Sequence, residues 1–128
     1  GLPLGSGLGS SGASACAALV AADAALGLGL APAQLVDLAR EGERSACGAA
    51  HPDNVAPAIL GGVVLIPQLE PLRLISLPAP ADLWLAIYTP GCSVSTAEAR
   101  AVLPAAVPLA ATVQQAGRLG LLVHALHT

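Results

Sequence analysis

Lysine, methionine and phenylalanine are absent from these 128 residues, and charge of either sign is scarce. Charged side chains make up 10% of the chain, where soluble domains carry about 25%. The five basic residues are all arginine, set against eight acidic ones, for a net charge of −3. That balance excludes the basic footprint of a nucleic-acid binder, and one Trp and one Tyr offer no stacking platform. Without lysine there is no phosphate loop of the Gly-x-x-x-x-Gly-Lys-Ser/Thr kind. Long apolar runs are missing too. The uncharged stretch 101–117 is broken by Pro104, Pro108, Gln114 and Gln115, and the run from Ser10 to Ala22 is short and ends at Asp23, whereas a spanning helix needs about 20 apolar residues. Neither a membrane span nor a basic-then-apolar leader is visible. The three cysteines, Cys16, Cys47 and Cys92, lie far apart. A disulfide framework and a Cys-x-x-Cys zinc site are both disfavoured, and reduced, buried thiols are expected.

What is plentiful is small and apolar. Hydrophobic residues reach 55% and the mean hydropathy is +0.73. A chain of this length amounts to about one domain, yet it is too apolar for an ordinary independent one. With Gly1 first and no methionine, the expectation is an internal piece of a longer protein with an apolar surface facing other segments.

Alanine dominates residues 10–26, and alanine is the best helix former. A helix is predicted there, with Ser10 or Ser11 as N-cap and Gly27 and Gly29 as the stop. "APAQLVDLAREGERSAC" (31–47) reads as a second helix, with Pro32 in the first turn and Leu35, Leu38 and Ala39 as its apolar stripe. "HPDNVAPAIL" (51–60) is turn-rich, with room for a short helix. "GGVVLI" (61–66) and "LRLISLP" (72–78) read as hairpin strands, and "DLWLAIYTP" (82–90) as a third strand carrying Trp84 and Tyr88 on one face, in the core or on the sheet. Helices are predicted over 94–103 and 109–126, the latter with Leu119, Leu122, Val123 and Leu126 in its later turns. A junction falls near residue 80, at "LPAPAD". Helices come in blocks beside strands rather than alternating with them, so the fold class is α+β.

The stretch with most chemical content is "PLGSGLGSSGASA", residues 3–15. Gly7, Gly9 and Gly12 have the dinucleotide spacing Gly-x-Gly-x-x-Gly, but no strand is read ahead of them, and that fingerprint needs one. They still let the backbone approach an anion closely and turn N–H groups inward. The helix that follows presents its N-terminal N–H groups and positive dipole end. The stretch alone supports an anion site at a helix start, with a flexible loop or tight turn as the plain alternative.

This stretch resembles the central motif of the GHMP kinases, Pro-x-x-x-Gly-Leu-Gly-Ser-Ser-Ala-Ala. Within that superfamily, "HPDNVAPAILGGVVLI" resembles the His-Ala-Asp-Asn-x-Ala-Pro-Ala-x-x-Gly-Gly segment of the homoserine kinase family, and "TPGCSVSTAEARAVLP" resembles its segment with Thr and Arg four residues apart. The resemblance covers essentially the whole chain. Two departures stand out. Gly12 replaces alanine, at a helix-propensity cost of about 1 kcal/mol, and Pro52 replaces the alanine between His and Asp.

The resemblance implies a GHMP kinase fold: a two-layer α/β sandwich leading into a ferredoxin-like C-terminal domain, both incomplete. The ATP-binding part would cover 1–80 and the start of the C-terminal domain 81–128. It implies transfer of the γ-phosphoryl of ATP to the hydroxyl of homoserine, with Mg²⁺. The nucleotide loop would be Pro3, Leu4, Gly5, Ser6, Gly7, Leu8, Gly9, Ser10 and Ser11. Ser11 and Glu43 would hold the metal. His51, Asn54, Thr96 and Arg100 would face the substrate, the last three at the chemical step. Asp53 is a tempting general base, but the resemblance gives that place to Asn54, which takes no proton. Catalysis would then rest on positioning and charge neutralisation. A threonine-pathway enzyme of this kind fits a bacterial cytoplasm or a plastid stroma, and the parent is expected to be a homodimer. The piece alone is expected to have little activity. Another GHMP small-molecule kinase and a non-catalytic truncated domain are the competing readings. His124 and His127 lie three apart with no third ligand nearby in sequence, so no metal site is assigned there.

Overall fold

The computed structural model describes residues 7–47, 51–88 and 96–127. Its chain divides into two compact units, Gly1–Ser76 and Leu77–Thr128. The first holds helices α1 (Ser10–Leu26), α2 (Pro32–Cys47) and α3 (Pro52–Leu60), then strand β1 (Val63–Leu69) and all but the last residue of β2 (Leu72–Leu77). The strands pair as a hairpin across Glu70 and Pro71. The second holds α4 (Thr96–Ala101) and α5 (Leu109–Ala125).

Helix α1 is the alanine run, and it ends at a left-handed Gly27 whose N–H returns to the Asp23 carbonyl. Its start differs from the serine cap expected. Gly9, at φ 75°, turns the chain into the helix without a side-chain cap, and Ser10 is already the first helical residue. The Gly9 carbonyl accepts the Ala13 N–H at 2.9 Å, so the ladder begins at the glycine itself. The second helix starts at Pro32 as expected, but its buried stripe is Leu35, Val36 and Ala39, while Leu38 is 47% exposed. At 100° per residue, Leu35, Val36 and Ala39 fall within one arc and Leu38 lies outside it. The turn-rich 51–60 segment is a full helix, with Pro52 at the position where a missing N–H costs nothing and the fixed φ suits the first turn.

Cys16 from α1, Val36 and Ala39 from α2, and Val55 and Ala56 from α3 form the core. Small side chains let these three helices approach closely. A Cβ on Gly42 of α2 would stand only 3.5 Å from that of Ala15 on α1. The hairpin closes one side, with Val64, Ile66, Leu72 and Leu74 against the core and Arg73 and Ile75 turned outward. Arg40 ties the helices to the hairpin turn. Its guanidinium donates to the Leu69 carbonyl at 3.2 Å and meets Glu70 at 2.9 Å. Its Nε also pairs in charge with Asp37 at 2.9 Å, without the directionality of a hydrogen bond.

In the second unit, the third strand expected over 82–90 does not form. Residues 83–88 are irregular and exposed, and 89–90 lie outside the described residues. Trp84 is 91% exposed and Tyr88 87%, so neither is core or sheet surface. Strand propensity of aromatic and branched residues depends on a neighbouring strand, and the described sheet has only two strands. The helix around 94–103 appears as Thr96–Ala101, with 94 and 95 outside the described residues. In α5, Val123 is half-buried, while Leu119 and Leu122 are exposed; Leu126, half-buried, is the C-cap. Among the described residues, no helix is long and apolar enough to cross a membrane.

Candidate functional site

The candidate site gathers where the glycine-rich loop runs into α1. Gly7 and Gly9 both adopt left-handed backbone, at φ 73° and 75°. Side chains at such positions are strained, so the loop's path needs glycine there. Pro3, Leu4, Gly5 and Ser6 lie outside the described residues. With no acidic residue in the first turn of α1, its N–H groups and dipole present positive potential to whatever approaches.

Helix α2 packs along α1 and brings Glu43 to the same end. The Ser11 hydroxyl donates to Glu43 Oε2 at 3.2 Å. Both oxygens are hard donors of the kind Mg²⁺ prefers, and their spacing is near the ~3 Å edge of an octahedron with bonds of about 2.1 Å. Two protein oxygens suit a metal that keeps several waters. Among the described residues no group of three or more His, Cys, Asp or Glu side chains gathers in a metal-holding cluster. A cation here would therefore rest on this one pair and on the phosphates it accompanies.

Cys16, further along α1, is close enough to Glu43 to feel its charge. It is 4% exposed, and its thiol donates to the Val55 carbonyl at 3.5 Å. Burial pushes the thiol pKa up, and the negative charge of Glu43 adds to this, while a backbone hydrogen bond opposes it. Cys16 is thus the reduced, buried thiol expected; Cys92 and the Cys47 side chain lie outside the described residues. The closeness of Cys16 to Glu43 could not be read from spacing.

From the other side, α3 presents Asn54. The nearest atoms to a Cβ built on Gly9 would be Asn54 Oδ1 at 2.9 Å and Cγ at 3.1 Å. A Cβ on Gly12 would meet Asn54 Cβ at 3.3 Å and Val55 Cγ1 at 3.4 Å. The structure therefore brings the loop and Asn54 into direct contact, and Gly12 is what lets the two helices close. His51 is the N-cap residue of α3, extended at φ −94° and half-buried. Asp53 accepts the Asn54 backbone N–H at 3.1 Å and faces solvent.

Thr96 and Arg100 belong to the second unit, as the first and fifth residues of α4. That spacing is one helical turn. Arg100 is exposed, and the Thr96 side chain lies outside the described residues. Within the first unit, then, Ser11 meets Glu43 and Gly9 meets Asn54. The contacts of Gly12 were signalled only by its departure from alanine in the motif.

Residues 1–62 match the family model described as the GHMP kinases N terminal domain. The chain is 50% identical over 125 residues to a homoserine kinase of Chlorobium phaeobacteroides, covering 98% of this chain and 39% of that protein. It is 47% identical to a homoserine kinase of Methanopyrus kandleri, with 99% and 42% covered. A crystal structure of homoserine kinase from Cytophaga hutchinsonii superposes with a TM-score of 0.87 at 42% identity, over 98% of this chain and 40% of that one. The chain spans about two fifths of the length of these relatives.

Proposed function

Because this chain belongs to the GHMP kinases through residues 1–62 and is homologous along its length to homoserine kinases, we propose that it forms the phosphate-loop and acceptor-loop portion of an ATP-dependent homoserine kinase. The observation that carries this reading is the meeting of three parts at one end of α1. They are a left-handed glycine loop, the Ser11–Glu43 oxygen pair, and Asn54 in contact with Gly9.

In this reading Pro3 to Ser11 cradle the nucleotide phosphates, with backbone N–H groups and the helix dipole supplying positive potential in place of lysine. Ser11 and Glu43 hold Mg²⁺, which when bound neutralises charge on the phosphates. Ser11 would offer the metal its hydroxyl oxygen and Glu43 its carboxylate. Asn54 orients the homoserine hydroxyl toward the phosphate loop. Its amide can donate and accept hydrogen bonds but cannot act as a base, so this residue works by placement. His51 binds the amino acid beside it. Thr96 lies near the reacting hydroxyl, and Arg100 pairs with the substrate carboxylate or the transferred phosphoryl, both suited to its planar fork. Rate would come from proximity and electrostatics rather than proton abstraction.

The domain reading follows: 1–80 as part of the ATP-binding domain and 81–128 as the start of the C-terminal one. A homodimeric parent in a bacterial cytoplasm or plastid stroma completes it.

Coupled ADP release from the complete gene product tests the proposal. Homoserine should stimulate turnover strongly, and mevalonate, galactose and shikimate should not. Equal stimulation by another of these acceptors would replace homoserine as the substrate. A lack of stimulation by all four would remove the kinase reading.

A further inference from the structure

We infer that Gly12 is a positioning residue for Asn54: by lacking a Cβ, it sets how closely α3 approaches α1 and so where the Asn54 amide sits against the phosphate loop. The inference rests on the reading of Asn54 as an acceptor-side residue.

Gly12 is buried in the second position after Ser10, where helix propensity favours alanine. A methyl group there would lie 3.3 Å from Asn54 Cβ and 3.4 Å from Val55 Cγ1. Contacts that short require a neighbour to yield by a few tenths of an ångström. Val55 is fully buried in the core, and Cys16 donates to its carbonyl, so its side has little room to move. Asn54 is exposed and so has more room than Val55, but its contact atom is Cβ, which moves only with the backbone at the start of α3. Displacement would therefore fall on Asn54, whose Oδ1 and Cγ already stand against Gly9. One glycine of the loop receives the amide and the other holds the helix that carries it at the right distance. Near-attack geometry is sensitive to shifts of this size, because small misplacements of a positioning group lose large factors in rate.

Two expectations separate this from an ordinary packing role. Alanine at position 12 gains helix propensity but crowds Val55, so a purely structural account lets stability move either way and predicts kinetics unchanged. The positioning account predicts a loss specific to the acceptor, since the Gly7–Ser11 backbone does not need to move.

The test uses the complete gene product with Gly12→Ala and, as a second small substitution, Gly12→Ser. The expected result is a fall of about tenfold in kcat/KM for homoserine, while the dissociation constant for a non-hydrolysable ATP analogue with Mg²⁺ changes by less than about twofold. Amide hydrogen exchange at Asn54 and Val55 should quicken in both variants. Acceptor kinetics unchanged, or nucleotide and acceptor weakened alike, would overturn the inference. If the wild-type protein does not phosphorylate homoserine, the function reading fails on that control alone. Exchange at Asn54 and Val55 then decides the geometry: faster exchange in the variants sustains it, and unchanged exchange overturns it.

Discussion

The Ser11 hydroxyl and the Glu43 carboxylate, 32 residues apart in sequence, meet at 3.2 Å where α1 and α2 begin and end. Two elements must pack in one register for this to happen. The small-residue contact of Gly42 with Ala15 supplies that register. In the proposed reading, where the pair holds Mg²⁺, removing either oxygen should weaken use of the metal. Glu43→Gln should lower kcat/KM for Mg-ATP about a hundredfold, equivalent to ~2.7 kcal/mol, and raise the Mg²⁺ concentration needed for half-maximal turnover. Ser11→Ala should do the same more weakly, about tenfold. Turnover with an unchanged Mg²⁺ titration would place the metal elsewhere.

Gly9→Ala should destabilise the first unit. A side chain at φ 75° costs about 1–2 kcal/mol, and the new Cβ would stand 2.9 Å from Asn54 Oδ1. Asn54→Ala removes Oδ1 but leaves the backbone strain. Denaturant unfolding of the two single variants and the double should therefore show the double losing less than the sum. Strict additivity would mean that Asn54 does not rest on the loop.

The Cys16 thiol gives a pH signature. Its folded pKa is raised, chiefly by burial and then by Glu43, so the neutral thiol is favoured in the native state. The stability this contributes is fully present below the unfolded value of about 8.5. It is lost as pH rises from there through the folded pKa, because the unfolded chain releases the proton first. Unfolding free energies measured from pH 7 to 10 should fall above that point, and the slope should be shallower in Cys16→Ala. An identical slope in the variant would show that the thiol is not what titrates.

Helix α2 offers a register test in two neighbouring positions. Val36 is fully buried and Leu38 47% exposed. Val36→Ala should cost about 2 kcal/mol in chemical denaturation, and Leu38→Ala about 0.5 or less. The reverse order would turn the helix by about a third of a circle.

The helices were legible because their signals are local. An alanine run bounded by glycines, and a proline followed by amphipathic spacing, mark α1 and α2 at the residues where they occur. Leu38 reads as part of the stripe because a leucine three residues after Leu35 fits the helical period. Which of Val36 and Leu38 is buried depends on where α1 and α3 lie, and period alone does not tell. The segment 82–90 has strand composition but no described partner strand, and pairing is a non-local fact. The site divides the same way. The glycine loop announces an anion site by its chemistry. The pairing of Ser11 with Glu43 was implied only by resemblance, since nothing in a 32-residue separation specifies a contact. The role of Gly12 needed coordinates, because what matters there is the space its absent methyl leaves to Asn54 and Val55.

Helix α1 opens on a left-handed glycine that carries no side chain to receive the helix's leading N–H groups. An oxyanion seated at that end would do chemically what a serine or aspartate does at other helix starts. Ligand binding and helix formation would then draw on the same few donors. A nucleotide phosphate would be a structural terminus of α1 as much as a reactant, and melting temperature should climb with nucleotide concentration, as it does for any ligand held only by the folded chain.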